Sequence, residues 1–296
     1  FKPFIWSVAT ELELCKHEQV FDKHGGRWYT PFGRYLEDVV KRDEQTWLEV
    51  LINSSNIGMA QAGLRMPPRQ MRDAVTRFGF GSRTGLGLPG ESVGLVTDLK
   101  NWSDYTRTSV PMGYEVAVTP VQMVRAFSAF ARSGEMAGSL PPVRLTALPV
   151  DDPAPDMVYR VLPPWVAELA RSTMRGVAKN LDTLMKQRGQ MDFEPQYDLF
   201  GKSGTAKIAR PDGRGYFEQY CSSFIAGAPV DNPRLVVLVV IDDPGPERVR
   251  NRAHYGSAVA GPVVRRIVER TLPYLGIAPP PQPATSVAAA DAIAAD

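Results

Sequence analysis

Apolar residues recur near helical spacing at the start of the chain, with Phe4, Ile5, Val8 and Leu12 on one side, and predict a helix over residues 1–14 that is already under way at Phe1. From Cys15 to Arg34 the period is lost, and Gly25, Gly26, Pro31 and Gly33 mark a loop or small hairpin. A second helix is predicted over residues 43–52, turning Trp47, Leu48, Leu51 and Ile52 inward. Asn53, Ser54, Ser55 and Asn56 compete for backbone hydrogen bonds, so a turn is expected there before a helix resumes at Ile57. The glycines and Pro89 of "GFGSRTGLGLPGE", residues 79–91, exclude a regular element and suggest a packed loop. Thr119, Pro120 and Gln122 are the cap, first-turn proline and capping-box residue of a helix that buries Val121, Val124, Phe127 and Phe130 and stops at Gly134. Residues 140–164 carry seven prolines and read as an extended surface connection, followed by an amphipathic helix marked by Val166, Leu169, Ala170, Met174 and Val177.

The last third changes to period-two and continuous apolar runs. Residues 197–209, 220–230 and 235–241 read as three successive antiparallel strands, the last one apolar enough to be buried on both faces. Val259, Val263, Val264, Ile267 and Val268 predict a closing helix over the sheet, kinked at Pro262. The expected organisation is one α+β domain over residues 1–275 and a disordered Pro/Ala-rich tail over 276–296.

Composition narrows the function. In 296 residues, 44% apolar side chains suffice for a core, and a net charge of +2 from 34 basic and 32 acidic groups leaves no basic stripe for a phosphate backbone, which argues against nucleic acid. Cys15, His17 and His24 fit no zinc spacing, Cys15 and Cys221 make no disulfide framework, and His254 reads as structural. The apolar run at 235–241 is far shorter than the ~20 residues that span a bilayer.

Two short motifs could carry chemistry. Ser54-Ser55-Asn56 lies at the predicted helix-to-helix turn, and Lys202-Ser203-Gly204-Thr205 lies on the first predicted strand. Serine, any residue, asparagine turns up about once in a chain of this length by composition alone, and then more often as a helix cap than a site. A lysine on an edge strand is as readily explained as protection against aggregation. Lys2 is a lone cation in the apolar "FKPFIW". Serine acyl-transfer enzymes carry SxxK, SxN and K(S/T)G in that order, and Lys2 would be the lysine of the first. Its serine is then expected two positions before Phe1, because no serine in the chain is followed three places later by lysine.

Longer stretches resemble the transpeptidase domain of class B penicillin-binding proteins. "FKPF" is similar to the end of that family's nucleophile motif, "INSSNIGMAQ" to its second motif, and "FGKSGTAKIA" to its third; "GFGSRTGLGLPGE", "MGYEVAVTPVQMVRAFSAFA", "LVVLVVIDDP" and "HYGSAVAGPVVRRIVERTLPYL" resemble the segments between and after. The resemblance runs to about residue 275. Where it leads one to expect Gly-Thr-Ala in a substrate-side loop, the chain reads Asn180-Leu181-Asp182.

The resemblance implies a penicillin-binding fold, with three of five expected sheet strands in this chain. It implies a peptidoglycan D,D-transpeptidase that acts on D-Ala-D-Ala stem peptides through a serine acyl-enzyme, uses no cofactor or metal and is acylated by β-lactams. It implies Lys2, Ser54, Asn56 and Lys202 as catalytic residues and Ser203, Gly204 and Thr205 as substrate-binding ones. It further implies a bacterial inner-membrane protein with an extracytoplasmic catalytic domain, partnered by a membrane glycosyltransferase and the elongation or division machinery. The competing readings are a non-catalytic sensor of the same fold and, ranked lower, a D,D-carboxypeptidase or a β-lactamase; no Glu-x-x-Leu-Asn stretch supports the last.

Overall fold

The computed structural model describes residues 1–145, 158–212 and 215–280. The middle of the predicted 140–164 connection and most of the predicted tail therefore lie outside the described residues. The chain opens with α1 (Lys2–Glu11), then places β1 (Val20–Asp22), β2 (Arg27–Tyr29), β3 (Tyr35–Glu37) and β4 (Glu44–Thr46) before α2 (Trp47–Ile52), α3 (Asn56–Arg65) and α4 (Pro68–Arg77). Next come β5 (Leu95–Val96), α5 (Asp104–Ser109), β6 (Val116–Ala117), α6 (Pro120–Ala131), β7 (Ser139–Leu140), β8 (Tyr159–Arg160) and the long α7 (Pro164–Gln187). The last third holds β9 (Phe200–Ala209), β10 (Tyr216–Ala228) and β11 (Leu235–Asp242), followed by α8 (Pro246–Arg250), α9 (Gly256–Val259) and α10 (Gly261–Tyr274).

The three final strands form one antiparallel sheet in the order β11-β10-β9, with Ser223 opposite Gly204 and Phe224 opposite Ser203. Helix α6 and the first half of α7 share one core with Phe200 and Ile225 of the sheet, and the second half of α7 and α10 share another with Phe224, Ala226 and Ala228. The α+β architecture expected from the sequence is therefore present.

α1 shows why "FKPFIW" reads like the interior of a protein. Every residue from Lys2 to Thr10 is buried, so the helix has no solvent-facing stripe and runs through the core. Leu12, expected on the apolar side, falls past the helix end and is exposed. Trp6 stacks on Trp47 of α2 and donates its indole N–H to the Trp47 carbonyl at 2.9 Å, while the Trp47 indole donates to the Thr10 hydroxyl at 2.8 Å. Both buried indoles thus keep a partner, which burial of a polar group requires.

Two aromatic pairs then tie the start of the chain to the sheet through α6. Phe4 lies 5.8 Å from Phe130 of α6, and Phe127, one turn earlier, stacks at 5.7 Å on Phe200, the first residue of β9. Removing one such buried ring costs about 3–5 kcal/mol. The consequence is positional: α6 fixes Phe4 and Phe200, and Lys2 and Lys202 each lie two residues away.

The structure corrects several expectations. α2 begins at Trp47, not at 43, because residues 44–46 pair with β1 and Thr46 forms a capping box with Glu49. Val121 and Val124 are only half-buried; the interior of α6 is built from Gln122, Ala126, Phe127, Ala129 and Phe130. Loop 79–91 is mostly exposed. It is pinned at Phe80 and Thr84, while the buried Gln122 amide donates to the carbonyls of Ser82 and Val93 just inside and beyond it. α7 runs unbroken to Gln187, so Asn180, Leu181 and Asp182 form helix instead of a substrate-side loop.

Strand β11 is half-buried, with Val240 exposed, although helices pack on both its faces. Its outer edge has no strand neighbour among the described residues, and that edge admits solvent. The predicted closing helix is interrupted at Ala260, just before Pro262: α9 ends at Val259, and Pro262 stands in the first turn of α10, where a missing N–H costs nothing.

Candidate active site

Lys2 sits at the first turn of α1, 9% exposed, and its ammonium donates to three oxygens: the Ser54 carbonyl at 2.8 Å, the Ser54 hydroxyl at 3.0 Å and Asn56 Oδ1 at 2.8 Å. Three acceptors match the three protons of an ammonium group. Burial opposes that charge and lowers the Lys2 pKa from 10.5 to about 8, with the negative charge of Asp38 pulling the other way.

The turn that offers those oxygens is built locally. Ser54 takes a left-handed backbone (φ 57°), an unfavourable place for a residue with a side chain, and thereby turns its carbonyl and hydroxyl to Lys2. Ser55 caps α3, its hydroxyl oxygen accepting from Gly58 N–H at 2.9 Å while the hydroxyl donates to Asp38 at 2.6 Å. Asn56 follows at the first helical position and spends one amide N–H on the Glu37 carbonyl at 3.0 Å, leaving the second.

Lys202 enters from β9, 3% exposed. Its ammonium finds one acceptor, the Ser203 carbonyl, at 3.3 Å. Burial, reinforced by the like charge of Lys2, holds its pKa well below the ordinary lysine value. The backbone nitrogen of Phe1 is buried beside both lysines. Two buried lysines lie side by side, Lys2 on the Ser54 and Asn56 oxygens and Lys202 on the Ser203 carbonyl, with no carboxylate bonded to either amine among the described residues, so one amine is driven toward its neutral, basic form.

Ser203, Gly204 and Thr205 continue along β9, whose other edge pairs with no strand among the described residues. That open ladder of N–H and C=O groups can accept an extended peptide. The Thr205 hydroxyl oxygen accepts from Gly256 N–H at 3.0 Å, which fixes its orientation and leaves its proton free to donate. A side chain at Gly256 would run into the carbonyl oxygens of Ser223 and Gly204, so α9 reaches the sheet only because that residue is glycine.

All seven candidate residues therefore lie in one region: Lys2, Ser54 and Asn56 in direct contact, Lys202 alongside Lys2, and Ser203 to Thr205 running from Lys202 along the open edge. Sequence reasoning missed Asp38, Lys23 and Gly256. The first two lie in or just after a stretch with no motif, and each acts on a residue far along the chain, so no local spacing announces them. For Gly256 the available signal was its position just after His254-Tyr255, at the start of a short helix.

Known proteins of one family resemble this chain. The family described as penicillin binding protein transpeptidase domain matches residues 1–269. A probable peptidoglycan D,D-transpeptidase, PbpC of Pseudomonas aeruginosa, is 34% identical over 280 residues, covering 94% of this chain and 46% of that protein. Peptidoglycan D,D-transpeptidase FtsI of Escherichia coli K12 is also 34% identical, over 94% of this chain and 44% of its own length. The chain thus spans about half the length of the curated relatives it matches. The apo transpeptidase domain of Burkholderia pseudomallei penicillin-binding protein 3 superposes with a TM-score of 0.79 at 30% identity, covering 95% of this chain and 80% of that one. With lysine, serine–asparagine turn and edge-strand motif gathered as the family's order of motifs requires, the chain belongs to the penicillin-binding protein transpeptidase domain family, of the class B kind.

Proposed function

We propose that this protein cross-links peptidoglycan as a serine D,D-transpeptidase, with a serine two positions before Phe1 as its nucleophile. The observation that carries the reading is the triple contact of Lys2 with the Ser54 carbonyl, the Ser54 hydroxyl and Asn56 Oδ1 beside a second buried lysine.

A serine hydroxyl is a weak nucleophile until a base takes its proton. Lys2 in its neutral form accepts that proton as the serine oxygen attacks the carbonyl of the D-Ala-D-Ala bond. The oxyanion is held by the backbone N–H of Thr205 and that of the serine. Collapse breaks the C–N bond, and the departing D-alanine amine takes a proton from Ser54, which is resupplied by Lys2. An amine on a neighbouring stem peptide then attacks the acyl-enzyme, gives up its proton along the same path and releases the serine. Asn56 donates its spare amide N–H to the substrate's peptide carbonyl. Ser203 and Thr205 hydroxyls bind the terminal carboxylate, whose negative charge draws Lys202 toward its protonated form. A β-lactam enters as the same kind of acyl donor and remains attached.

The substrate places the work on the outer face of a bacterial inner membrane, alongside a glycosyltransferase that supplies glycan strands to elongation or division. No helix among the described residues is long and apolar enough to cross a membrane. The test is labelling of the intact protein with a fluorescent penicillin, followed by denaturing electrophoresis. Retained label on the expected serine peptide supports the reading, and a folded protein that takes no label overturns it.

A further inference from the structure

Asp38 follows β3 and is 3% exposed, yet nothing in the catalytic sequence above uses it. Its Oδ1 accepts from Asn56 N–H at 2.5 Å and Ile57 N–H at 3.1 Å, and its Oδ2 accepts from the Ser55 hydroxyl at 2.6 Å and the Lys23 ammonium at 3.1 Å. Lys23 is fully buried and has one further acceptor, the Val40 carbonyl at 3.1 Å. Burying such a pair is costly, and an apolar pair of similar volume would stabilise the fold at least as well. Its geometry indicates another use.

Three of the four donors on Asp38 belong to consecutive residues, Ser55, Asn56 and Ile57, at the start of α3. The carboxylate therefore clamps the first turn of that helix, from which Asn56 reaches back to Lys2 and before which Ser54 turns its two oxygens to the same amine. Asp38 also carries the only negative charge that acts appreciably on Lys2 among the described residues. Facing Lys2 from β9 is Lys202; Glu37, bonded to Lys41, lies at the exposed rim of the turn.

We propose that Asp38, with Lys23 as its counter-ion, is a positioning residue for acylation: it sets the Ser54–Asn56 turn around Lys2 and supplies the negative potential in which Lys2 exchanges its proton. Lys23 limits that potential by balancing most of it. The inference rests on the reading of Lys2 as the base, and it makes a signed claim that a purely structural ion pair would not. Asp38→Asn removes the anion and favours neutral Lys2, whereas Lys23→Met unbalances the anion and favours charged Lys2.

The experiment is an NMR titration of the intact protein carrying [13Cε]lysine, with the Lys2 resonance assigned by its loss in Lys2→Met. The Lys2 midpoint is expected to move down by about one pH unit in Asp38→Asn and up by a similar amount in Lys23→Met. Unmoved midpoints in folded variants, or movement in the same direction in both, would overturn the proposal. Should Asp38→Asn not fold, Lys23→Met decides alone, because an upward move supports the claim and no move refutes it. Fluorescent-penicillin labelling above pH 9, where Lys2 is neutral in parent and variant alike, is expected to slow tenfold or more in Asp38→Asn because the Ser54–Asn56 turn loses its clamp, and to recover in part in Asp38→Glu. Failure of the parent to take label would sink the transpeptidase reading, while the titration would still settle the coupling between Asp38 and Lys2.

Discussion

Lys2 and Asn56, separated by 54 positions in the chain, meet through a 2.8 Å hydrogen bond from Nζ to Oδ1. Neither residue has a choice of neighbour. Lys2 is carried on a helix locked by the Trp6–Trp47 stack, and Trp47 opens the short helix whose end leads into the turn bearing Ser54 and Asn56. One aromatic pair therefore sets both partners, so the contact belongs to the core as much as to the site.

Lys2→Met tests what the amine contributes beyond filling space. Methionine keeps most of the apolar stem and relieves the cost of burying a charge, against the loss of three donated hydrogen bonds, so the variant is expected to fold with stability within about 2 kcal/mol of the parent. Penicillin acylation should fall by about 10²–10⁴, the range in which a general base contributes. Stopped-flow or gel-based labelling against thermal unfolding separates the two effects.

Acylation should rise with pH through the neutral range. With the Lys2 pKa lowered to about 8, roughly a tenth of the molecules hold a neutral base at pH 7 and roughly half at pH 8. On the proposed mechanism the active form is the deprotonated one, so the second-order acylation rate should climb from pH 6 and level above 8. A pH profile that is flat from 6 to 9 would remove Lys2 from the base role.

Lys202→Met should stabilise the protein while disabling it. Among the described residues the ammonium has a single acceptor, the Ser203 carbonyl at 3.3 Å, and a like charge nearby, so burying it costs stability. Replacement is expected to gain about 1–3 kcal/mol, or roughly 2–6 °C in Tm for a domain of this size, and to reduce labelling at least tenfold. Calorimetry and labelling on one preparation check both signs.

Much of this arrangement was legible in the sequence because its signals are local. Thr119, Pro120 and Gln122 announce a capped helix, and the structure shows the reciprocal capping box. The lysine of "FGKSGTAKIA" lies on a strand as the run of residues suggests. Other features depend on tertiary partners. Near Asn180 the spacing of Val177, Leu181, Leu184 and Met185 does continue the helix, but which face of it is buried depends on the sheet and α10 that cover Ala178, Leu181 and Met185. Strand β11 reads as fully buried because its composition reports the helices on its two faces and is silent about its edge. Asp38 could not be foreseen as the clamp on Asn56, since 18 residues and two short elements separate them.

Gly256 offers the sharpest separation of packing from chemistry. The residue donates its N–H to the Thr205 hydroxyl at 3.0 Å and lies so close to β9 and β10 that a Cβ would collide with the Gly204 and Ser223 carbonyl oxygens. Backbone carbonyls of a paired ladder cannot rotate away without breaking it, so Gly256→Ala must push α9 outward. That displacement strains the sheet, with an expected loss of about 1–3 kcal/mol, and releases the Thr205 hydroxyl from the donor that orients it. Penicillin labelling should then slow by tenfold or more even at a temperature where the variant is fully folded. Gly176→Ala is the matched control: its Cβ would meet only the Ile52 side chain, at 3.0 Å from Cδ1, 3.2 Å from Cγ1 and 3.4 Å from Cγ2, carbons that need give by only a few tenths of an ångström where no backbone stands in the way. It should leave stability within about 1 kcal/mol of the parent and labelling unchanged. If Gly256→Ala lost stability but kept the parent's labelling rate, the orientation of Thr205 by α9 would have no part in acylation, and the open edge of β9 alone would have to hold the substrate's carboxylate.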